Sequence, residues 1–264
     1  SIGSETLGSI VSPSHRCGVV GLRPTYGRVS RHGAMALSWT MDKLGPMCRG
    51  VEDCAAVLHA IYGPDGKDRT VADAPFNYPP DLRPSDLRTG YLAAEFEDVK
   101  NPVERAVDEA ALDVLRSLGM CPEPVKLPDY PHDAVQMVLM VEAAAAFDDL
   151  TRSGEVDLMT ERDKSSWPDT FRAARTVPAV DYLRAQRVRS LLMRYMEALM
   201  AQWDLLIAPA TGGPSLTVTN LTGHPALLLP CGFVDGLPRG MTFIGRLYDE
   251  AALLAAGRAY EQAT

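Results

Sequence analysis

The chain has 264 residues, 46% of them hydrophobic and 23% charged, with a mean hydropathy of −0.07. That is an ordinary soluble globular composition, long enough for one large core or two modest ones. A net charge of −8 and a pI near 5.2 exclude a general nucleic-acid footprint, which needs clustered Lys and Arg. The five cysteines (17, 48, 54, 121 and 231) form no Cys-x-x-Cys pair and, with five scattered histidines, give no metal spacing. Reduced thiols in a cytoplasmic protein are the expectation, and no apolar run reaches membrane length.

Residues 1–47, rich in Gly, Pro and Ser, read as loops and short strands around a site, with apolar pieces at Val19-Val20 and Met35–Leu37. A helix is expected from Val51 to Tyr62, stopped by Gly63-Pro64-Asp65-Gly66. Prolines 75, 79, 80 and 84 make 74–84 an extended connection. Arg88–Ala93 reads as a strand. Asn101-Pro102-Val103-Glu104 then opens a helix with Asn as N-cap, Val103, Val107, Ala110 and Val114 on one face, and an end before Gly119. Val125–Leu127 is a short strand candidate, and 132–202 is mostly helical. In the basic run from Arg184 to Arg194, the arginines at 184, 187, 189 and 194 do not share one face, which reads as a solvated helix surface. Leu205–Ala208, Ala226–Leu229 and Met241–Ile244 are buried strand candidates, the last two joined through an Asp235-Gly236 turn, and a final helix opens at Asp249. Alternating strands and helices argue for an α/β fold.

The richest segment is the first: Ser1-Ile2-Gly3-Ser4-Glu5-Thr6-Leu7-Gly8-Ser9, a small-residue loop ending on a serine. Such a loop lets successive backbone N–H groups converge on one point beside a hydroxyl, as acyl transfer requires. It is not a phosphate-binding loop, because Gly8 is followed by Ser9 and Ile10 rather than Lys and Ser/Thr. Nor is it a nucleophile elbow, since Gly-x-Ser-x-Gly is absent around Ser9.

The segment continues through Ile10-Val11-Ser12-Pro13 and Cys17-Gly18-Val19-Val20-Gly21-Leu22-Arg23-Pro24-Thr25, then Met41-Asp42-Lys43-Leu44-Gly45-Pro46-Met47. Near the end come Asn220-Leu221-Thr222-Gly223-His224-Pro225-Ala226, Pro230-Cys231-Gly232 and Ile244-Gly245-Arg246. Together these resemble the amidase signature family, closely over residues 1–66 and 203–264 and loosely between. The resemblance implies an amidase signature fold, with a central mixed β-sheet flanked by helices. It makes 1–264 one domain, the C-terminal part, beginning at the nucleophile loop.

By that resemblance Ser9 is the nucleophile of a Ser–cis-Ser–Lys triad. The backbone N–H groups of Thr6, Leu7 and Gly8, with that of Ser9, are the oxyanion donors. The lysine and the middle serine lie upstream of the nucleophile in the family, so neither is expected among these residues, and lysines 43, 67, 100, 126 and 164 stand in the wrong context to replace the base. Such a piece is expected to be poorly soluble and catalytically silent by itself, with an unpaired sheet edge and exposed apolar residues. Leu7 stands where the family has glycine, which costs energy if φ is positive there and nothing if leucine fits. Glu5 and Val11 replace an Asp–Arg pair, leaving Arg16 or Arg23 to take over. His15, His32 and His224 read as structural, and Cys17 and Cys231 as packing residues. Arg189 matches an arginine that the A subunits of glutaminyl amidotransferases present to a substrate carboxylate. The loop from Ala208-Pro209-Ala210 to Asn220 lacks those enzymes' insertion with its acidic glutamine-binding residue, which favours a surface role for Arg189.

The implied activity is hydrolysis of a carboxamide C–N bond through an acyl-serine, with no cofactor and no metal. The partner is a small-molecule amide, with no direct nucleic-acid contact and no membrane; a homodimer stays open. Two alternatives also stay open: an A-subunit-like component of a tRNA-dependent amidotransferase, and a catalytically dead remnant.

Overall fold

The computed structural model describes residues 1–78, 82–160, 166–210 and 213–264. The strands are β1 (Ile2–Glu5), β2 (Val20–Arg23), β3 (Lys43–Cys48), β4 (Thr89–Leu92), β5 (Glu123–Val125), β6 (Leu205–Pro209), β7 (Ala226–Val234) and β8 (Leu237–Gly245). The helices are α1 (Val11–Cys17), α2 (Val51–Ile61), α3 (Ala93–Glu97), α4 (Pro102–Ser117), α5 (His132–Val135), α6 (Met137–Ala146), α7 (Asp148–Ser153), α8 (Trp167–Ala174), α9 (Ala179–Met200), α10 (Pro214–Thr222) and α11 (Glu250–Ala263). The strands form one mixed sheet in the order β1-β3-β2-β7-β8-β6-β4-β5. β4 runs parallel to β5 and β6, and the other pairings are antiparallel.

Alternation along the strands sorts the core into two layers, because successive side chains point to opposite faces. Leu205, Ile207, Leu227, Leu229, Met241 and Phe243 join the core that holds buried residues of α2, α4 and α11. Leu206, Ala208 and Ile244 join the other, with Leu192 and Met196 of α9 and Val218 and Leu221 of α10. Each face is closed by helices, as a sheet with apolar residues on both sides requires. β1 is an outermost strand, with Ile2 exposed, and Met35 and Trp39 lie exposed further along the chain.

Several expected elements differ in detail. Helix α1 stands where loops and strands were expected; its Ser-Pro pair hides it, and its N-terminus is held by the Glu5 carboxylate, outside the helix across the preceding loop. Met35–Leu37 forms no strand. α4 has the expected Asn101 cap, whose Oδ1 accepts from Val103 N at 2.9 Å. Its buried side, however, is Asp108, Ala111, Leu112 and Leu115, while Val103 is exposed. The stripe turns that way because Asp108 is drawn in by Arg239, which approaches it at 2.6 Å. Cys17 is exposed rather than packed, whereas Cys231 packs at the margin of the main core. Of the expected 74–84 connection, residues 79–81 lie outside the described residues, as do residues 211–212 of the β6–α10 loop.

Candidate active site

The loop of residues 6–9 joins β1 to α1, and Glu5 fastens both of its ends. Glu5 is the last residue of β1 and is fully buried. Its Oε2 accepts from Ile10 N at 2.8 Å and Val11 N at 3.0 Å, the first N–H groups of α1. Those donors have no partner inside the helix, so a carboxylate there satisfies them and meets the positive end of the helix dipole. Oε1 accepts from Arg23 Nη1 at 2.8 Å and from Asn220 Nδ2 at 2.9 Å. Arg23 therefore replaces the arginine that Val11 displaces. Its Nη2 continues to Thr219 Oγ1 at 2.8 Å and His224 O at 3.0 Å, tying the loop to α10 and the turn after it.

The electrostatics follow from this packing. Burial alone would raise the Glu5 pKa; the charges of Arg23 and Lys43 and the hydrogen bonds override it and bring it down to about 2. Lys43 faces Glu5 in register across β1 and β3 and is almost wholly buried. Burial, with the Arg23 charge beside it, lowers its pKa well below the usual lysine range, and its Nζ donates to Met41 O. It is thus engaged under the loop and not with Ser9.

The loop itself is held open. Thr6 Oγ1 donates to Asp42 Oδ1 at 2.5 Å, and Asp42 Oδ2 accepts from Leu37 N and Ser38 N. Gly8 has φ +93°, the left-handed region that favours glycine, and a Cβ there would meet Leu216 Cδ2 of α10 at 3.3 Å. Leu7 does not have positive φ; its side chain packs at the margin of the second core, so leucine fits where the family has glycine. Ser9 is exposed, while Glu5, Thr6, Gly8 and Ile10 around it are buried. Among the described residues, the backbone N–H groups of Thr6, Leu7, Gly8 and Ser9 donate to no protein acceptor. An exposed serine hydroxyl thus shares a four-residue loop with backbone N–H groups that no described protein acceptor takes.

Arg189 is placed otherwise than expected. It is 7% exposed, so it is not a surface residue. Its Nε donates to Leu221 O, Nη1 to Thr40 Oγ1 and Nη2 to Thr40 O. Thr40 and Ser38 bond in turn to Glu142, which Tyr182 and Gln186 of α9 also reach. Arg189 thus pins α9 to the 38–42 loop, which holds Thr6 through Asp42. Its neighbours Arg184, Arg187 and Arg194 are exposed. Sequence reasoning missed the roles of Asp42, Glu142 and Asn220; a carboxylate or amide in an apolar stretch, as in Val141-Glu142-Ala143, was the available signal.

The family model for amidases matches residues 1–219, and the chain belongs to the amidase signature family. It is 35% identical to the A subunit of the glutamyl-tRNA(Gln) amidotransferase of Moorella thermoacetica, over all of this chain and 63% of that protein. The native peptide amidase of Stenotrophomonas maltophilia superposes with a TM-score of 0.82 at 32% identity, covering 100% of this chain and 62% of that one. The A subunit of the glutamyl-tRNA(Gln) amidotransferase of Thermotoga maritima gives a TM-score of 0.79 at 27% identity, covering 99% of this chain and 61% of that one. The chain thus spans about 63% of the length of the curated relatives it matches. Among the described residues, no helix is long and apolar enough to cross a membrane.

Proposed function

We propose that this chain carries the nucleophile part of an amide hydrolase. Ser9 Oγ bonds to the carboxamide carbon as its proton passes to a base, and the oxyanion that forms is held by the N–H groups of Thr6, Leu7, Gly8 and Ser9. The C–N bond breaks, ammonia or an amine leaves with a proton, and water releases the acid from the Ser9 ester. The family resemblance assigns the base to a lysine, and the relay to a serine on a cis peptide, in the part of the relatives' length that these residues do not span. The observation that carries the reading is the exposed Ser9 beside four uncommitted N–H groups, on a loop whose two ends share the Glu5 carboxylate. Residues 1–264 act as one domain, in the cytoplasm.

In the full-length protein Ser9→Ala abolishes amide hydrolysis with folding intact, and a fluorophosphonate labels Ser9 of the wild type. Labelling at a different serine, or undiminished turnover in the variant, overturns the assignment.

The names of the relatives favour a second reading, in which the chain serves an amidotransferase and acts on glutamine. Against it, β6 ends at Pro209 and α10 begins at Pro214, too short a link for an inserted acidic residue to meet an α-ammonium group. Neutral aryl or aliphatic amides should therefore compete at least as well as free glutamine. A strong glutamine preference in a competition assay would restore the second reading.

A further inference from the structure

A large cleft lies away from the nucleophile loop. It has a volume of about 760 Å³ and runs between α9 and the turns at 222–224 and 246–247. α10 separates it from the loop: Leu216, near one end, stands over Gly8, and Thr222, at the other, lines the cleft. Its size is that of a site for a small organic molecule. Met193, Met200 and Leu247 give it an apolar wall, and Met193 and Leu247 are left substantially exposed.

The polar groups in the cleft define the ligand further. Arg246 lines it but is held by the scaffold: it pairs with Asp204 at 2.8 Å, a carboxylate that Arg88 shares at 3.0 Å, and its Nε donates to Met200 O and Trp203 O. On the rim, Arg194 and Glu197 stand about one helical turn apart on α9, so those two charges offset each other. His224 is 2% exposed and also lines the cleft. Its Nδ1 lies 2.8 Å from Thr222 Oγ1, and that hydroxyl donates its single proton to Val218 O at 2.8 Å. Thr222 Oγ1 must therefore accept from Nδ1–H, which leaves Nε2 unprotonated. Among the described residues Nε2 has no hydrogen-bond partner. Burial, with the Arg23 charge, pushes this imidazole down to about 4, so it stays neutral at physiological pH.

We propose that this cleft is a second binding site, separate from Ser9, for a neutral apolar small molecule bearing one hydrogen-bond donor, of the phenol class, with the donor directed at His224 Nε2. The apolar body lies against Met193, Met200 and Leu247.

A matched pair of fluorescent probes tests this: 2-naphthol, which has the donor, and 2-methoxynaphthalene, which lacks it. Titrated into the full-length protein, 2-naphthol binds about threefold to tenfold more tightly, the worth of one neutral hydrogen bond. Met193→Trp, at an exposed position that tolerates bulk, intrudes on the apolar wall of the cleft and weakens binding of both. Thr222→Val removes the acceptor that fixes the tautomer, and the preference falls towards unity. Ser9→Ala leaves both affinities as in wild type. Equal affinity for the two probes, or wild-type binding in the Trp variant, overturns the proposal. So does loss of binding in Ser9→Ala, which would place the probe in the reaction site.

Discussion

Two buried arginine–glutamate pairs stand five residues apart in the chain on the arginine side, and they serve different ends. In Arg23–Glu5 and in Arg28–Glu250 the side chains are at most 1% exposed. Arg28 is saturated by Glu250, Ala74 O, Pro75 O and Tyr248 O, and Glu250 Oε1 accepts from Thr25 N. That pair fastens the turn after β2 to the start of α11 and touches nothing near Ser9. Glu5 spends its oxygens on the backbone of α1, on Arg23 and on Asn220, and Arg23 Nε is left without a partner. An ion pair built for stability alone would satisfy every donor, as Arg28 does. The one beneath the loop of residues 6–9 gives up a hydrogen bond to hold a particular backbone path.

The comparison breaks or holds on matched variants. Removing one partner of a buried pair strands the other charge, at a cost of about 3–5 kcal/mol. Arg23→Met and Arg28→Met should therefore lower stability by similar amounts in urea denaturation. They should part in reactivity: fluorophosphonate labelling of Ser9 in the full-length protein should fall sharply in Arg23→Met and stay near wild type in Arg28→Met. Equal loss of labelling would make the Glu5 pair merely structural.

Acid sharpens the contrast. The folded pKa of Glu5, about 2, is depressed from an ordinary value of 4.5. The unfolded chain therefore binds the proton first. The stabilisation is present above pH 4.5 and is lost as pH falls from 4.5 towards 2. A Glu5→Gln variant, measured by urea midpoint against pH, should start less stable and show a flatter limb across that window. A limb as steep as wild type would mean that other carboxylates set the acid response.

Much of this was legible in the residues because local chemistry fixes it. The strand at Leu205–Ala208, the hairpin turn at Asp235-Gly236 and the Asn101 cap follow from alternation, turn residues and capping. The family was legible through the long motif that runs from Gly3 into β2. Helix α1 was not, because its N-terminal donors are satisfied by Glu5, from outside the helix. Nor was the inward turn of Arg189: its partners are the backbone at Thr40 and Leu221 and a Thr40 hydroxyl, so no opposite charge marks them in the sequence. Long-range partners of that kind leave no periodicity to read.

Leu7 gives the mildest test of the same division between loop and scaffold. Its backbone lies outside the left-handed region, so a glycine gains no conformational relief there, and its half-buried side chain packs at the margin of the second core. Leu7→Gly, which restores the family's usual residue, loses part of a buried leucine and adds freedom to the unfolded chain. Together these come to about 1–2 kcal/mol of lost stability. The N–H at position 7 remains, so Ser9 labelling should change little beside the loss in Arg23→Met. Thermal denaturation and labelling on one preparation read both quantities. A gain in stability would mean that leucine strains the loop, and that the backbone path at this position is set by something other than the Glu5 carboxylate.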